Sequence, residues 1–121
     1  MRTSELIGAA LDWAVLKASK KAIGQPDHLP FNVEWLLMRD AGDFQYSTNW
    51  AQGGPIIERE RMDIKCWDFH SMPWKASMWW DDEASSGDVQ MYGSTPLIAA
   101  MRCYVASKLG DEVEIPEEIT E

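Results

Sequence analysis

The chain has few cysteines and no long apolar run. It has only two cysteines, Cys66 and Cys103, so a disulfide framework of the kind found in small secreted domains is not expected. Its apolar stretches reach about five residues, as at 97–101, whereas a helix needs roughly 20 to span a bilayer. Glu5 and Asp12 interrupt the segment where a signal peptide would need its apolar core. We therefore expect a cytoplasmic protein with reduced thiols and no membrane partner.

Basic residues are also scarce. Lys and Arg together number 11 against 20 Asp and Glu, for a formal net charge of −9. Six of the acids lie in residues 111–121, which contain no base, so the rest of the chain is close to neutral. Binding of duplex nucleic acid needs basic patches, and imitation of DNA needs acids over the whole body. Neither function is expected, and nucleic acid is not predicted as a partner.

The length of 121 residues suffices for one domain with its own core. Apolar side chains spaced by three and four residues predict a first helix of about five turns. Thr3 or Ser4 is expected to cap this helix, and Gly24 with Pro26 to end it. The apolar stripe comprises Ile7, Leu11, Ala14, Val15, Ala18 and Ala22.

A second long helix is expected near the C-terminus. Thr95 can cap it, Pro96 suits its first position, and Gly110 stands where a left-handed residue usually ends a helix. We predict one domain over 1–110 and an acidic tail over 111–121, either solvated and loosely docked or binding a partner. The buried stripe of this helix comprises Leu97, Ala100, Met101, Tyr104, Val105 and Leu109.

The middle of the chain alternates between turn signals and apolar periodicity. Gly53-Gly54-Pro55 predicts the start of a short helix that runs to about Arg61. Residues near 62–66, 74–80 and 89–92 alternate apolar with polar side chains, which predicts three consecutive strands. The predicted fold class is α+β: an N-terminal helix, an irregular segment, a short middle helix, a three-stranded antiparallel meander, and a C-terminal helix packed on the sheet.

Metal and nucleophile chemistry find little support. Cys66, Asp68 and His70 share one strand face, but Met62 and Ile64 share it too, and zinc needs three or four ligands. We predict no metal, and a buried structural Cys66 near the strand end. A reactive thiol needs an open, electropositive setting, so Cys103 in the apolar stripe is also predicted to be structural. No cofactor and no catalytic residues are predicted, and an enzyme is disfavoured.

The chain contains seven tryptophans. Trp67 and Trp79 are out of phase with the apolar faces of their strands, so they should point to the opposite side of the sheet. That side is either an exposed aromatic surface, suited to a planar ligand or a protein contact, or is covered by another helix. The sequence leaves both alternatives open.

A candidate ligand site surrounds Trp50. An aromatic ring among hydrogen-bonding side chains and glycines is typical of small-molecule pockets, and a helix beginning near Pro55 would favour an anion. In this hypothesis Trp50 stacks on the ligand and Arg59 meets its negative charge. The alternative is that these glycines and polar residues only form the loop before a helix and bind no ligand. The predicted site residues are Tyr46, Asn49, Trp50, Gln52, Gly53, Gly54 and Arg59.

Three stretches also resemble a known family: TSELIGAALDWAV at 3–15, YSTNWAQGGPIIERE at 46–60 and TPLIAAMRCYVASKLGDEV at 95–113. Together they resemble the NinX-like family of small tailed-phage and prophage proteins. The resemblance implies an accessory protein in the cytoplasm of the bacterial host and no assigned activity. We expect a non-enzymatic protein that binds a planar small molecule such as a host nucleotide signal. The alternative is a protein–protein inhibitor of a host or phage factor, acting through exposed tryptophans or the acidic tail.

Overall fold

A computed structural model describes residues 2–22, 45–66, 73–81 and 86–115. These residues form a 3-10 turn and six longer elements, and the predicted α+β class is confirmed. The sequence predictions for Gly24, Pro26, Trp67, Asp68 and His70 lie outside the described residues. The turn is Thr3–Glu5, the helices are α1 (Gly8–Ala22), α2 (Trp50–Glu60) and α3 (Pro96–Leu109), and the strands are β1 (Asp63–Cys66), β2 (Trp74–Asp81) and β3 (Ser86–Gly93).

The three strands form the predicted antiparallel meander in the order β1-β2-β3. Ala76 is paired with Ile64 on one side and with Met91 on the other, and all three pack toward the core. Alternation along β2 buries Ala76 and Met78 on one face, so the side chains between them belong to the opposite face. Helix α3 packs on the face that carries Ala76.

Helix α3 forms the middle layer of the molecule. It packs against β2 and β3 on one side and against α1 and α2 on the other. Every residue from Ala99 to Ala106 is therefore buried, Tyr104 among them. A helix that is apolar around most of its circumference is expected in such an enclosed position. Thr95 caps α3 as predicted, since its Oγ1 accepts the Ile98 N–H at 3.1 Å.

The first helix begins later than its periodicity predicts. Leu6 is extended and fully buried, Ile7 is 60% exposed, and Gly8 has the positive φ of +57° that redirects the chain. The predicted cap at Thr3 or Ser4 is therefore wrong. The Thr3 hydroxyl instead donates to the Gly110 carbonyl at 2.7 Å. This long-range contact outweighs the local capping signal.

The middle helix begins one turn earlier than predicted. Asn49 is its N-cap, with Oδ1 accepting the Ala51 N–H at 2.9 Å. Pro55 lies inside the helix, where its ring leaves the Ala51 carbonyl without the usual N–H donor. The predicted end near Arg61 is confirmed. Arg61 is left-handed (φ 55°), and the Met62 N–H bonds the Ile57 carbonyl at 3.1 Å.

The first part of the predicted tail packs against the folded body. Val113 is 5% exposed and Ile115 contacts the core cluster. Glu112 forms an isolated antiparallel bridge with Arg2, and the Thr3 N–H donates to the Asp111 carbonyl at 2.8 Å. Residues 111–115 thus hold the N-terminal segment in place.

Candidate functional site

Two tethers position the turn that precedes α2. The Ser47 N–H donates to Oδ1 of Asp12 at 2.8 Å, which fixes the turn to α1. The Gln45 N–H donates to Oε1 of Gln52 at 2.7 Å, which fixes it to α2. Asp12 and Ser47 are 6% and 2% exposed, so the first tether lies inside the protein. These two hydrogen bonds therefore fix the position of the turn and of the exposed residues that follow it.

Two glycines of α2 have different surroundings. Gly53 is buried, and a Cβ there would collide with the Tyr46 carbonyl oxygen and lie 2.7 Å from Cδ2 of Leu97. At Gly54 a Cβ would meet only Cε3 of Trp50, at an ordinary 3.8 Å. Gly53 thus permits α2 to approach α3 closely. Gly54 lies beside the indole ring of Trp50, which is one helical turn earlier in α2.

A cleft of about 230 Å³ lies between the N-termini of α2 and α3. Trp50 forms one wall and is 56% exposed. The opposite wall begins at Thr95 and is largely carbon. Pockets for drug-sized ligands occupy roughly 300–1,000 Å³, so this cleft suits one planar ring with the rest of the ligand outside. Its lining residues are Ser47, Thr48, Trp50, Thr95, Pro96, Leu97 and Ile98.

The structure brings together most of the residues predicted for the ligand site. Asn49, Trp50, Gln52, Gly53 and Gly54 all belong to the N-cap and first turns of α2. Among them, Trp50 lines the cleft, and the others shape or anchor the helix start. Sequence reasoning missed the wall contributed by α3. The signal available for it was the Thr95–Pro96 helix start, which was assigned only a structural role.

Arg59 lies at the other end of α2. It follows Trp50 by nine positions in the sequence, which corresponds to a rise of about 13 Å along a helix. Its Nη2 donates to the Tyr104 hydroxyl at 3.1 Å, and its Nε pairs with Oε2 of Glu60 at 3.1 Å. Lys108 approaches the same glutamate, with Nζ 3.4 Å from Oε1. Arg59 is thus engaged away from the cleft, and the structure does not bring it together with Trp50.

Tyr46 lies between these two regions. Its carbonyl contacts Gly53, and the side chain is half-buried against the core. Burial raises the pKa of its phenol, and the nearby charge of Asp12 adds to this rise, while Arg59 opposes it. Burial likewise raises the pKa of Asp12, although the Ser47 side chain and N–H both act to lower it. Tyr46 therefore faces the polar groups between the helices.

The cysteines behave differently from one another. Cys103 is fully buried, and burial raises the pKa of its thiol to about 12, which makes it unreactive at neutral pH. Cys66 is exposed at the end of β1, so the prediction that it is buried is wrong. The reason is position: it is the last residue of a four-residue edge strand. Within the described part of the chain, no three His, Cys, Asp or Glu residues cluster as metal ligands would.

Trp79 is on the sheet face opposite α3, as predicted, and is 78% exposed. None of the described helices covers Trp79, which favours the exposed aromatic surface over the covering helix at that position. Trp79 and Trp50 both have strongly exposed side chains.

The comparisons with known proteins agree with the sequence resemblance. None of the described helices has the length and apolar character that crossing a bilayer would require. A comparison with curated protein sequences gave no match. A family model described as Bacteriophage P22, NinX matches residues 2–108, which is most of the chain. The chain therefore belongs to the bacteriophage P22 NinX family.

Proposed function

We propose that this NinX-family chain is a non-enzymatic phage accessory protein that binds a planar small molecule in the cytoplasm of the bacterial host. The observation that carries the proposal is the half-exposed indole of Trp50, which forms a wall of an apolar cleft. Leaving such a ring open to water forgoes the stabilisation of burying it. A stacked planar ligand would recover that stabilisation.

The position of the cleft favours a ligand with an anionic substituent. The Trp50 cleft lies where two helices begin, at Asn49 for α2 and at Thr95 for α3. Helix N-termini carry partial positive charge and favour nearby anions. Since Arg59 is engaged with Tyr104, these backbone dipoles take the role that the sequence hypothesis gave to its guanidinium. A nucleotide combines the planar ring and the negative charge.

A thermal-shift screen of the full chain tests this proposal. The panel comprises mononucleotides, cyclic dinucleotides and adenosine-diphosphate-ribose variants. A ligand present at one hundred times its Kd stabilises a protein by about 2.7 kcal/mol, which for a domain of this size is about 10 °C in Tm. We expect one nucleotide class to give such a shift.

The matched variants are Trp50→Ala and Trp79→Ala, because each removes one strongly exposed tryptophan. Trp50→Ala should abolish the ligand-induced shift, and Trp79→Ala should preserve it. A panel without any shift, or a shift that survives Trp50→Ala, would overturn the proposal.

A second candidate function is a protein–protein modulator of a host or phage factor. The observation that favours it is the exposed Trp79 on the open side of the sheet. Co-purification from infected cells would then yield a partner with the wild type and with Trp50→Ala, but not with Trp79→Ala. Deletion of residues 111–121 is unsuitable as a test, because Val113 is part of the core.

A further inference from the structure

The sheet has two faces, and α3 packs on one of them. Met78 of β2 and Val89 of β3 are directly paired, and both pack toward the core on that side. Because side chains alternate along a strand, the residues next to them belong to the opposite side, the open sheet face. At the end where β2 connects to β3, the open sheet face carries Trp79 of β2 and Asp88 and Gln90 of β3.

Trp79 and Asp88 place an aromatic ring beside a carboxylate. They are directly opposite each other on neighbouring strands. The Cβ atoms of such a pair are about 5 Å apart, so one group of a partner can contact both side chains. Trp79 is 78% exposed, and Asp88 and Gln90 are exposed as well. This end of the open sheet face is therefore accessible to a partner.

The charge of Asp88 is not compensated nearby. None of the described residues forms an ion pair with it. Asp63 on β1 differs, since its carboxylate lies 3.8 Å from the Nζ of Lys65. The sequence around Asp88 is also acidic, because residues 76–101 contain four acids and no Lys or Arg. An uncompensated carboxylate in a chain of net charge −9 favours a cationic partner group.

We propose that the open sheet face binds a basic segment of a partner protein, with an arginine of that segment stacked on Trp79 and paired with Asp88. A guanidinium suits both side chains, because its planar face stacks on an indole ring and its N–H groups bond a carboxylate. The proposal rests on the second candidate function, a protein–protein contact through Trp79. It is independent of the Trp50 cleft.

The shape and charge of the face favour a protein over other classes of ligand. Sites for small molecules are concave, whereas a ring and a carboxylate on a sheet surface contact a small cation from one side only. A protein segment gains further contact area along the strands. Nucleic acids and anionic lipids carry phosphate groups, which the carboxylate of Asp88 repels. The net charge of the chain would also attract a basic partner, most strongly at low salt.

NMR titration of the full chain with short peptides tests the proposal. The probes are an arginine–glycine peptide and, at equal length, a lysine–glycine and a glutamate–glycine peptide. The arginine peptide should shift the indole N–H signal of Trp79 to saturation. The lysine peptide should bind more weakly, because an ammonium has no planar face to stack on the ring. The glutamate peptide should leave the signal in place.

Substitutions at the pair identify the contact. Asp88→Asn removes the negative charge and should raise the Kd of the arginine peptide about fivefold. Trp79→Ala should raise it about twofold to fivefold, followed at the backbone amide of Gln90. Glu58→Gln is the matched control, because it removes an exposed charge on α2, outside the face, and should leave the Kd almost unchanged. Thermal melts establish that each variant is folded.

Three results would overturn the proposal. The first is a Trp79 signal that the arginine peptide does not move. The second is an equal rise in Kd for Asp88→Asn and Glu58→Gln, which would show attraction by net charge alone. The third is Trp79-dependent self-association of the free chain, which would assign the face to a second copy.

The protein–protein function itself is tested separately by co-purification. A partner that is lost with Trp79→Ala but retained with Asp88→Asn would support that function and contradict the arginine contact. A partner lost with both variants and retained with Glu58→Gln would agree with both.

Discussion

The two ends of α2 differ in how completely their side chains are satisfied within the protein. At the C-terminal end, Arg59 and Glu60 are held by the Tyr104 hydroxyl and by Lys108. At the N-terminal end, backbone groups are well anchored, but the Trp50 ring stands half-exposed beside a cleft. An end whose polar groups are paired stabilises the fold. An end whose backbone is anchored and whose aromatic ring is exposed can bind a ligand.

The largest expected effect on stability comes from adding a side chain at Gly53, where α2 packs closely against α3. Gly53→Ala places a methyl group against the Tyr46 carbonyl and 2.7 Å from Cδ2 of Leu97. Overpacking of this kind should lower the free energy of unfolding by roughly 3 kcal/mol. The matched change, Gly54→Ala, meets only ordinary contact and should raise it by about 0.5–1 kcal/mol. Urea denaturation measures both, and equal effects would contradict the close approach at Gly53.

A smaller effect is expected at the tether between α1 and the turn. Asp12→Ala removes the acceptor of the buried Ser47 N–H and should cost roughly 2 kcal/mol. Asp12→Asn keeps an oxygen acceptor and should cost less. If the two variants were equally destabilised, the tether would not be the reason for burying Asp12.

Asp12 should also make stability depend on pH. Burial raises its folded-state pKa above 3.8, so the folded protein binds this proton more tightly than the unfolded chain does. Its contribution therefore falls as the pH rises from about 3.8 through the raised pKa, and then levels off. The unfolding free energy of Asp12→Asn minus that of the wild type should therefore become more positive over that pH window. A pH-independent difference would contradict the assigned shift.

The smallest effect on stability is expected at the C-terminal end of α2, where Arg59 contacts Tyr104. Tyr104→Phe removes the hydroxyl that accepts from Arg59 and lies 3.2 Å from Ser19 Oγ. The expected loss in unfolding free energy is about 1 kcal/mol, because Arg59 is mostly exposed and water can replace its lost partner. Ligand binding at the Trp50 cleft should not change. A variant that lost binding would show that the two ends act together.

Capping residues and strand alternation predicted those elements in which long-range contacts do not override the local sequence pattern. Thr95, Pro96 and Gly110 delimit α3 by capping chemistry alone, and alternation along β2 predicted that Trp79 faces away from Met78. The start of α2 was missed because the Gly-Pro signal is local. Gly53 is instead required for the approach of α2 to α3, and Asn49 supplies the cap.

Long-range polar contacts explain the remaining misses. Asp12 stands among the buried residues of α1 because it bonds a turn 35 residues away. Arg102 is 3% exposed, with Nε donating to the Leu6 carbonyl at 2.8 Å and Nη1 to the Tyr92 carbonyl at 2.7 Å. No spacing within the sequence reveals these partners. Arg59 was placed in the ligand site by proximity in sequence, whereas the rise of the helix separates it from Trp50.

The indole N–H signals of the tryptophans provide the most direct test of the central claim, that the Trp50 cleft binds a planar ligand. In a two-dimensional ¹H–¹⁵N NMR spectrum each indole gives its own resonance, and Trp50→Phe and Trp79→Phe variants assign the two of interest. During titration with the nucleotide panel, the account predicts that the Trp50 signal shifts to saturation while the Trp79 signal keeps its position. A Trp50 signal unmoved by every member of the panel, or a ligand that moves the Trp79 signal instead, would contradict it.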